Sequence, residues 1–286
     1  MDYSAVSTSS DELLVSRNIK DSVFRNLFSD KNYLFQLYQA LHPKDKETTI
    51  DDLEYVTLEN VLVRDIYNDL GVRVGDKIIL LIEAQSTWTE NIIIRCLMYM
   101  ARTLQDYFKQ TSQSLFSEKL VHMPEPELYV IYTGDSVIDK EYISLSETFF
   151  GGKQTSLDVR VKVVVDGKEG DIINQYVVFT KVINDQIKIY GRKREAITEA
   201  IRICKDRNIL KDYLTSREKE VVDIMITLFD QQEVLEDYIA SDRREQAENS
   251  ARKMYAKHMS VEDIADVLGY SVKIVEKWLG LVPQAY

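Results

Sequence analysis

This sequence contains few cysteines and no long apolar run. Only Cys96 and Cys204 occur, each inside a stretch with helical periodicity, so a disulfide framework is not expected. No apolar run approaches the roughly 18–20 residues that a membrane-spanning helix needs, and the N-terminus lacks the basic-then-apolar order of a signal peptide. We therefore expect a cytoplasmic protein that does not enter a membrane.

Glycine, proline and histidine are also scarce. Ten glycines and four prolines in 286 residues favour long helices over repetitive linkers. The three histidines are scattered, at positions 42, 122 and 258, and have no zinc-binding spacing. The sequence also contains no glycine-rich phosphate loop and no serine nucleophile elbow. These common enzyme motifs are therefore excluded.

Positive charge is the remaining deficit, because the formal net charge is −11. A passive nucleic-acid binder is usually basic, since phosphate contacts dominate its affinity. An acidic chain that acts on DNA would need a local basic surface, a bound cation, or both. The 45% apolar and 10% aromatic content is that of a globular protein, and the length corresponds to one large or two modest domains.

Hydrophobic periodicity predicts an α/β domain. Residues 18–41 have helical spacing, and residues 53–84 have the β-branched composition of strands. A turn at Gly75-Asp76-Lys77 predicts a hairpin within this region. A long helix at 90–109 then precedes a short strand at 127–132. Because the helix connects two strands as a crossover, these strands should be parallel neighbours in a mixed sheet flanked by helices.

The remainder of the chain reads as one more strand followed by helices. Residues 157–165 alternate cleanly, which predicts an edge strand with Arg160 and Lys162 pointing outward. From residue 171 onward the pattern is helical. The expected organisation is a loose N-terminus, an α/β domain, a helical extension and a helix-turn-helix-like tail, at residues 1–15, 16–190, 191–258 and 259–286 respectively.

Two carboxylates and an amide lie at the ends of the predicted hairpin. Asp69 begins one arm, Glu83 ends the other, and Gln85 follows on the same side as Glu83 because strand side chains alternate. Like charges held close are unfavourable unless a cation lies between them. Carboxylates and a backbone carbonyl are the oxygen ligands that Mg²⁺ prefers. The alternative is a pair of solvated acids at strand ends, and spacing alone does not decide between the two.

The same residues resemble a known family. The segments Asn68-Asp69-Leu70, Ile82–Thr87 (IEAQST), Arg95 and Tyr99-Met100 resemble the PD-(D/E)XK nuclease superfamily. More narrowly, they are similar to the Rpn-type recombination-promoting nucleases, also called YhgA-like transposases. The stretches KDSVFRNLFSD at 20–30 and PEPELYVIYTG at 124–134 support the resemblance, which is strong over residues 18–190 and weaker towards the C-terminus.

The resemblance implies a restriction-endonuclease-like fold and a set of site residues. It implies that Asp69, Glu83 and the backbone carbonyl of Ala84 bind Mg²⁺ or Mn²⁺. Gln85 stands where most of the superfamily has lysine, so it could hydrogen-bond the attacking water but brings no charge. Arg95 could supply that charge, or it could form a structural ion pair.

Two further positions bear on that site. Asp21 could orient a ligand or bind a second ion, or it could be an acid favoured by a helix N-terminus. Ala84 replaces the family's histidine between Glu83 and Gln85, which leaves a weakened or inactive site open.

Two C-terminal features could contact DNA. Residues 190–211 are locally basic, which suits a phosphate backbone or a solvated helix face. Residues 259–280 predict two helices separated by a turn at Gly269, with Ser260 and Ser271 as caps and Ile264, Leu268, Val275 and Trp278 meeting inside. This tail resembles a helix-turn-helix, but it could equally pack on the main body or on a second subunit.

The sequence thus predicts a Mg²⁺-dependent DNA endonuclease associated with recombination or mobile elements. The alternative is a catalytically degenerate nuclease fold that serves as a DNA- or protein-binding module. A true transposase is a weaker alternative, because the spacing of a DDE-type site is missing. A homodimer is consistent with the first hypothesis, since cutting both strands requires two catalytic centres.

Overall fold

The computed structural model describes residues 23–56, 70–84, 88–134 and 136–281, with only the backbone described for residues 80–84, 232 and 235. The predicted start of the first helix and the predicted strand residues at 57–69 therefore lie outside the described residues. The described chain is a mixed α/β structure, as the periodicity predicted.

Six strands in the described residues form one mixed, open sheet. They are β1 (Leu53–Val56), β2 (Leu70–Val74), β3 (Lys77–Ala84), β4 (Glu125–Tyr132), β5 (Tyr142–Ser144) and β6 (Arg160–Val164). Their order across the sheet is β1-β2-β3-β4-β6-β5. Strands β3, β4 and β6 run parallel, whereas the β1–β2, β2–β3 and β5–β6 pairs are antiparallel.

The predicted hairpin is confirmed. Val74 pairs with Lys77, so the turn consists of Gly75 and Asp76 alone. Gly75 has φ +55°, a conformation that residues with a Cβ adopt at a cost, and this explains the glycine there. The register continues to Leu70, which pairs with Leu81.

Ten α-helices and one 3-10 helix (Ile50–Asp52) accompany the sheet within the part of the chain described. The α-helices are α1 (Val23–Phe28), α2 (Lys31–Leu41), α3 (Ile92–Gln110), α4 (Leu145–Phe150), α5 (Ile172–Tyr190), α6 (Arg194–Asp206), α7 (Lys211–Ser216), α8 (Glu218–Tyr255), α9 (Val261–Leu268) and α10 (Val272–Trp278). Asp30 caps α2 by accepting the Asn32 amide at 2.9 Å, which fits the turn predicted within residues 18–41.

Helices cover both faces of the sheet, because alternate residues of β3 enter different cores. Ile78 packs with Ile93 and Cys96 of α3, whereas Ile79 lies with Leu34 and Leu37 of α2. A strand buried on both faces is continuously apolar, as residues 78–82 of β3 are. The predicted crossover is also confirmed, since α3 connects β3 to the parallel strand β4.

The prediction that the strand at 157–165 lies at an edge is wrong. Its ordered part, β6, is paired on both sides, and the three-residue strand β5 forms the edge instead. Arg160 does not simply face water, because its guanidinium lies 4.1 Å from the centre of the Tyr142 ring. Alternation of apolar and polar residues indicates which side chains lie on each face of a strand, but it does not indicate which strands pair with its edges. Strand β5 is also too short to produce a recognisable pattern.

The chain divides into two compact units, residues 1–227 and 228–286. Gly191, near the predicted domain boundary, separates α5 from α6 within the first unit. In the second unit the predicted helix-turn-helix shape is confirmed, with Ile264, Val275 and Trp278 buried together. Ser260 caps α9 by accepting the Asp263 amide at 3.1 Å, whereas Ser271 makes no side-chain cap bond to α10. Among the described helices, none has the length and apolar content to cross a membrane.

Candidate functional site

The three parallel strands share one end, which we call the carboxyl end of the sheet. Strands β3 and β4 leave the ladder there together, because Ala84 pairs with Tyr132 at their last positions. Ligands of open α/β sheets bind in the crevice beyond the carboxyl ends of the strands. The carboxyl end is therefore the part of this sheet where fold geometry favours a site.

Three of the residues predicted for the site, Glu83, Ala84 and Arg95, belong to the part of the chain that the structure describes, and all three lie towards this end. Glu83 and Ala84 are the last two residues of β3, and Arg95 lies in the first turns of α3, half-buried, with its Nε atom shielded from solvent. The predicted positions of Asp21, Asp69 and Gln85 lie outside the described residues, as does the Glu83 side chain.

The backbone register bears on the predicted meeting of Asp69 and Glu83. Leu70, the residue after Asp69 in the chain, pairs with Leu81, two positions before Glu83. The hairpin pairing expected from the sequence therefore holds up to the residue next to Asp69. Antiparallel pairing makes the start of β2 and the end of β3 neighbours. In this register the even-numbered residues of β2 share a face with the odd-numbered residues of β3, so the metal-site hypothesis requires a break in the alternation before Asp69 and Glu83 can share a face.

Aromatic packing closes the end of β4. The rings of Trp88 and Tyr132 meet edge to face, with centroids 5.6 Å apart. The Tyr132 hydroxyl accepts the backbone N–H of Ser136 at 3.1 Å, which folds the following loop back over the strand. A Cβ at Gly134 would lie 2.4 Å from that hydroxyl oxygen. Only glycine therefore fits where the loop crosses the tyrosine.

A carboxylate links three segments beside this end. Glu90, just before α3, forms an ion pair with Lys140 and accepts the Thr148 hydroxyl of α4 at 2.9 Å. The hydrogen bond from Lys140, and then that from Thr148, lower the pKa of Glu90 against the opposing effect of burial. Lys140 keeps about half of its side chain exposed (54%). It is therefore a positioned cation at the carboxyl end that sequence reasoning did not identify.

The opposite, amino end of the sheet holds a cluster that sequence reasoning also missed. We call His42, Lys77, Glu127 and Tyr129 the amino-end cluster. Glu127 Oε2 lies 2.5 Å from His42 Nε2 and accepts the Tyr129 hydroxyl at 3.1 Å, while Glu127 Oε1 accepts from Lys77 Nζ at 2.7 Å. The available signal was a glutamate inside an apolar strand, two residues before a tyrosine on the same face.

The electrostatics of the amino-end cluster are those of a satisfied ion-pair network. Burial opposes ionisation of Glu127, but the hydrogen bonds from His42 and Lys77 dominate and bring its pKa to about 2. The pKa of Lys77 is raised, chiefly by the same hydrogen bond to Glu127. The pKa of Tyr129 is raised by burial and then by the neighbouring Glu127 charge. Each shift stabilises the form already present at neutral pH.

A cleft of about 290 Å³ opens next to this cluster. It lies between α2, the turn after it, and the start of β3, and its lining is Tyr38, Asp45, Thr48, Asp52, Val74, Gly75, Asp76, Lys77 and Glu125. Asp45 already accepts the Tyr38 hydroxyl at 2.6 Å and the Thr48 hydroxyl at 2.8 Å. The Asp45 carboxylate therefore stabilises the turn after α2 through these two hydrogen bonds.

Part of the basic stretch at 190–211 is neutralised within the chain. Arg202 contacts Glu199 at 2.6 Å and Asp206 at 2.7 Å, and Lys205 contacts Glu218 at 3.0 Å. These contacts favour the solvated-helix interpretation of this segment over a phosphate-binding surface. On the helix-turn-helix-like tail, α10 exposes Lys273 and Lys277 over only seven residues.

Among the residues that the structure describes, no group of three or more histidine, cysteine or acidic side chains is arranged to hold a metal ion. The predicted ligand set is not covered by that statement, because Asp69 and the Glu83 side chain lie outside the described part. The chain matches no protein-family model, no curated protein and no solved structure.

Proposed function

We propose that this chain is a Mg²⁺-dependent endodeoxyribonuclease with a PD-(D/E)XK-type fold, associated with recombination or mobile DNA. The observation that carries the proposal is the β2–β3 hairpin, which brings the start of β2 beside the end of β3. This pairing supports a common end of the sheet for the acids at 69 and 83, and a shared ion further requires a break in the strand alternation there. The helix between parallel strands β3 and β4 supports the same fold.

The donor set fits a hard divalent cation. Asp69, Glu83 and the carbonyl of Ala84 would hold the ion through oxygen atoms, the ligands that Mg²⁺ prefers. Ala84 is the last residue of β3, where the strand leaves its pairing with β4. When bound, Mg²⁺ would polarise a phosphoryl oxygen and make water a stronger nucleophile.

The protein's own groups would orient the reaction. Gln85 would hydrogen-bond the attacking water, and Arg95 would offer positive charge to the phosphoryl oxygens. Water adds across one P–O bond of the DNA backbone, and the products are a phosphate monoester and a hydroxyl. The attacking water gives up a proton to solvent, solvent supplies a proton to the leaving oxygen, and no covalent enzyme intermediate is required.

The test is a plasmid-nicking assay with Mg²⁺ or Mn²⁺, in which the wild type is compared with Asp69→Ala. Asp76→Ala is the matched control, because Asp76 lies in the turn at the other end of the same hairpin. We expect cleavage by the wild type and the control, and loss of cleavage in Asp69→Ala.

Equal cleavage by all three proteins would show that the nicking comes from a contaminant or another site. Absence of metal-dependent cleavage in the folded wild type would overturn the proposal. Retained DNA binding in that case would support a non-catalytic binding module instead.

A further inference from the structure

Two adjacent phenylalanines at the end of α4 lie at the protein surface. Phe149 and Phe150 each keep 43% of the side chain exposed, and a Gly-Gly-Lys turn that ends at Lys153 follows them. Single exposed apolar residues are ordinary, but neighbouring aromatic rings offer a larger apolar surface. We infer that this aromatic turn, residues 149–153, binds unpaired bases of a DNA strand. The inference rests on the proposed function, because it names a substrate class for the same site.

Hydrogen bonds hold the aromatic turn at both ends of α4. Ser144 caps the start of the helix by accepting the Glu147 amide at 3.2 Å. Beyond the last residue of the helix, the Gly152 amide donates to the Ser146 carbonyl at 3.0 Å and so satisfies one of the free carbonyls there. The two rings therefore extend from a fixed backbone, which reduces the entropy that is lost on binding.

Helix α4 anchors the aromatic turn at the carboxyl end of the sheet. The helix begins where Leu145 donates its amide to the Val159 carbonyl at 2.9 Å, just before β6 starts. Three residues later, the Thr148 hydroxyl donates to Glu90 at 2.9 Å. Glu90 belongs to the segment that connects the carboxyl end of β3 to α3. Because Phe149 follows Thr148 directly, the aromatic turn starts beside the segment that follows the proposed metal ligands of β3.

The charge of the aromatic turn suits a phosphate backbone. Residues 148–157 contain Lys153 and no carboxylate, although the net charge of the chain is −11. Lys153 is exposed and forms no ion pair with the residues that the structure describes. Of the two flanking acids, Glu147 lies in the first turn of α4 and Asp158 accepts the Ser146 hydroxyl at 2.9 Å. The cation of the turn is therefore available to a phosphate group.

The two glycines leave room for a strand to approach. Gly151 and Gly152 have φ of +61° and +77°, and no atom lies within 4 Å of a Cβ built at either position. Glycine is used where a backbone approaches a ligand closely. In a duplex the bases stack on one another, whereas an unpaired strand offers its base faces to aromatic rings. We therefore expect the rings to stack on bases of a single strand while Lys153 contacts a phosphate.

The test measures binding of a fluorescein-labelled oligothymidylate by fluorescence anisotropy in EDTA, which prevents metal-dependent cleavage. The proteins are the wild type, the double variant Phe149→Leu/Phe150→Leu and the control Phe116→Leu. Leucine keeps apolar contacts but cannot stack on a base. Phe116 is the matched control because its ring is completely exposed and lies beyond the other end of α3. Thermal melting verifies that each variant is folded.

We expect the wild type to bind the single strand at least about tenfold more tightly than its duplex with the complementary strand. The double leucine variant should lose about tenfold or more in single-strand affinity, because stacking on two bases is lost. Phe116→Leu and the double variant Phe149→Tyr/Phe150→Tyr, which keeps both rings, should bind as the wild type does. Equal binding by the wild type and the double leucine variant, or a preference for duplex, would overturn the inference.

Photo-cross-linking gives a second reading that needs no variant. An oligonucleotide that contains iododeoxyuridine is irradiated with the wild type, and the linked peptides are identified by mass spectrometry. Cross-links within residues 149–153 are expected, and cross-links only to other parts of the chain would contradict the inference. Lys153→Gln should reduce the salt dependence of binding, as loss of one phosphate contact does. An unchanged salt dependence would exclude the phosphate contact of Lys153.

The two assays separate this inference from the proposed function. A protein that binds single strands through Phe149 and Phe150 but cuts no plasmid would support the aromatic turn and overturn the proposed cleavage. A protein that cuts plasmid, and whose double leucine variant binds single strands as the wild type does, would support cleavage and overturn the aromatic turn.

Discussion

The two ends of the central sheet handle charge in different ways. At the amino end, Glu127 accepts a hydrogen bond from the Lys77 ammonium at 2.7 Å and lies 2.5 Å from His42 Nε2, so its charge is satisfied within the chain. At the carboxyl end, the sequence predicts that Asp69 and Glu83 meet with Gln85 beside them, and this predicted set contains no cation. Opposite charges in contact stabilise one another, whereas like charges held close are unfavourable unless a cation lies between them or water solvates them. We therefore expect changes at the amino end to alter stability and changes at the carboxyl end to alter the proposed activity.

The largest expected effect comes from Glu83→Gln at the carboxyl end. Under the proposed function Glu83 binds the metal, so its loss should reduce the metal-dependent nicking rate by at least about a hundredfold, since a bound metal ion lowers the barrier by several kcal/mol. The melting temperature in EDTA should stay the same or rise, because one of two neighbouring like charges is removed. A fall of both activity and melting temperature would instead show that Glu83 stabilises the fold. The two ends of the sheet would then not differ in the way proposed.

Glu127→Gln is the corresponding change at the amino end. The depressed pKa of Glu127, about 2, corresponds to about 3 kcal/mol of folding free energy at neutral pH. Because the folded pKa is lowered, this contribution is complete above about pH 4.5 and is lost as the pH falls towards 2. Urea unfolding at pH 7, 4 and 2.5 should show a loss of about 3 kcal/mol at pH 7 that shrinks with acid.

Glu54→Gln is the control for that experiment. Glu54 also forms an ion pair, with Arg73, but its side chain is 61% exposed. Exposed pairs contribute about 0–1 kcal/mol, so the control should unfold almost as the wild type does. Equal losses in the two variants would mean that burial does not distinguish Glu127.

Gly134→Ala tests the packing of the carboxyl end and should have a smaller effect. The new Cβ would lie 2.4 Å from the Tyr132 hydroxyl oxygen and 2.6 Å from the adjoining ring carbon, so a buried tyrosine must move. Overpacking of this kind costs about 1–3 kcal/mol. The control is Gly75→Ala, where the space around a new Cβ is open but φ is +55°. The melting temperatures of the two variants then separate the effect of steric collision from that of backbone strain. A Gly134→Ala protein as stable as the wild type would contradict this packing.

Lys140→Met should have the smallest effect on stability. Glu90 would keep its hydrogen bond from Thr148, and the lysine is half exposed, so the expected cost is under about 1 kcal/mol. Chemical denaturation measures it, with Lys109→Met as control, because Lys109 also contacts a carboxylate, that of Asp106, at the far end of α3. A loss above about 2 kcal/mol would show that the carboxyl end also depends on a satisfied ion pair.

The elements that sequence predicted correctly are those with a strong local signal. The Gly75-Asp76 turn fixed the hairpin, the long apolar face of residues 90–109 gave α3, and the alternation at 157–165 gave β6. The neighbours of β6 were not predictable, because edge position depends on which other segments pair with it. Strand β5 and helix α4 were missed because three and six residues are too few to show a period.

The candidate site divides in the same way. The sequence predicted that Glu83, Ala84 and Arg95 lie at one end of the sheet, because the order strand, helix, strand indicates where each strand ends. It could not identify Lys140 or Glu90 as partners, because 50 positions separate them in the chain. The amino-end cluster was missed for the same reason: His42 and Glu127 are 85 positions apart.

By itself, the sequence determined which of the longer segments are strands and helices, where the hairpin turns, and that Glu83 falls near a strand end, because each of these depends on residues close in the chain. Tertiary structure alone decided which strand lies at the edge and which charges meet. Such contacts join segments far apart in the sequence, and their energy depends on burial, which no local pattern encodes.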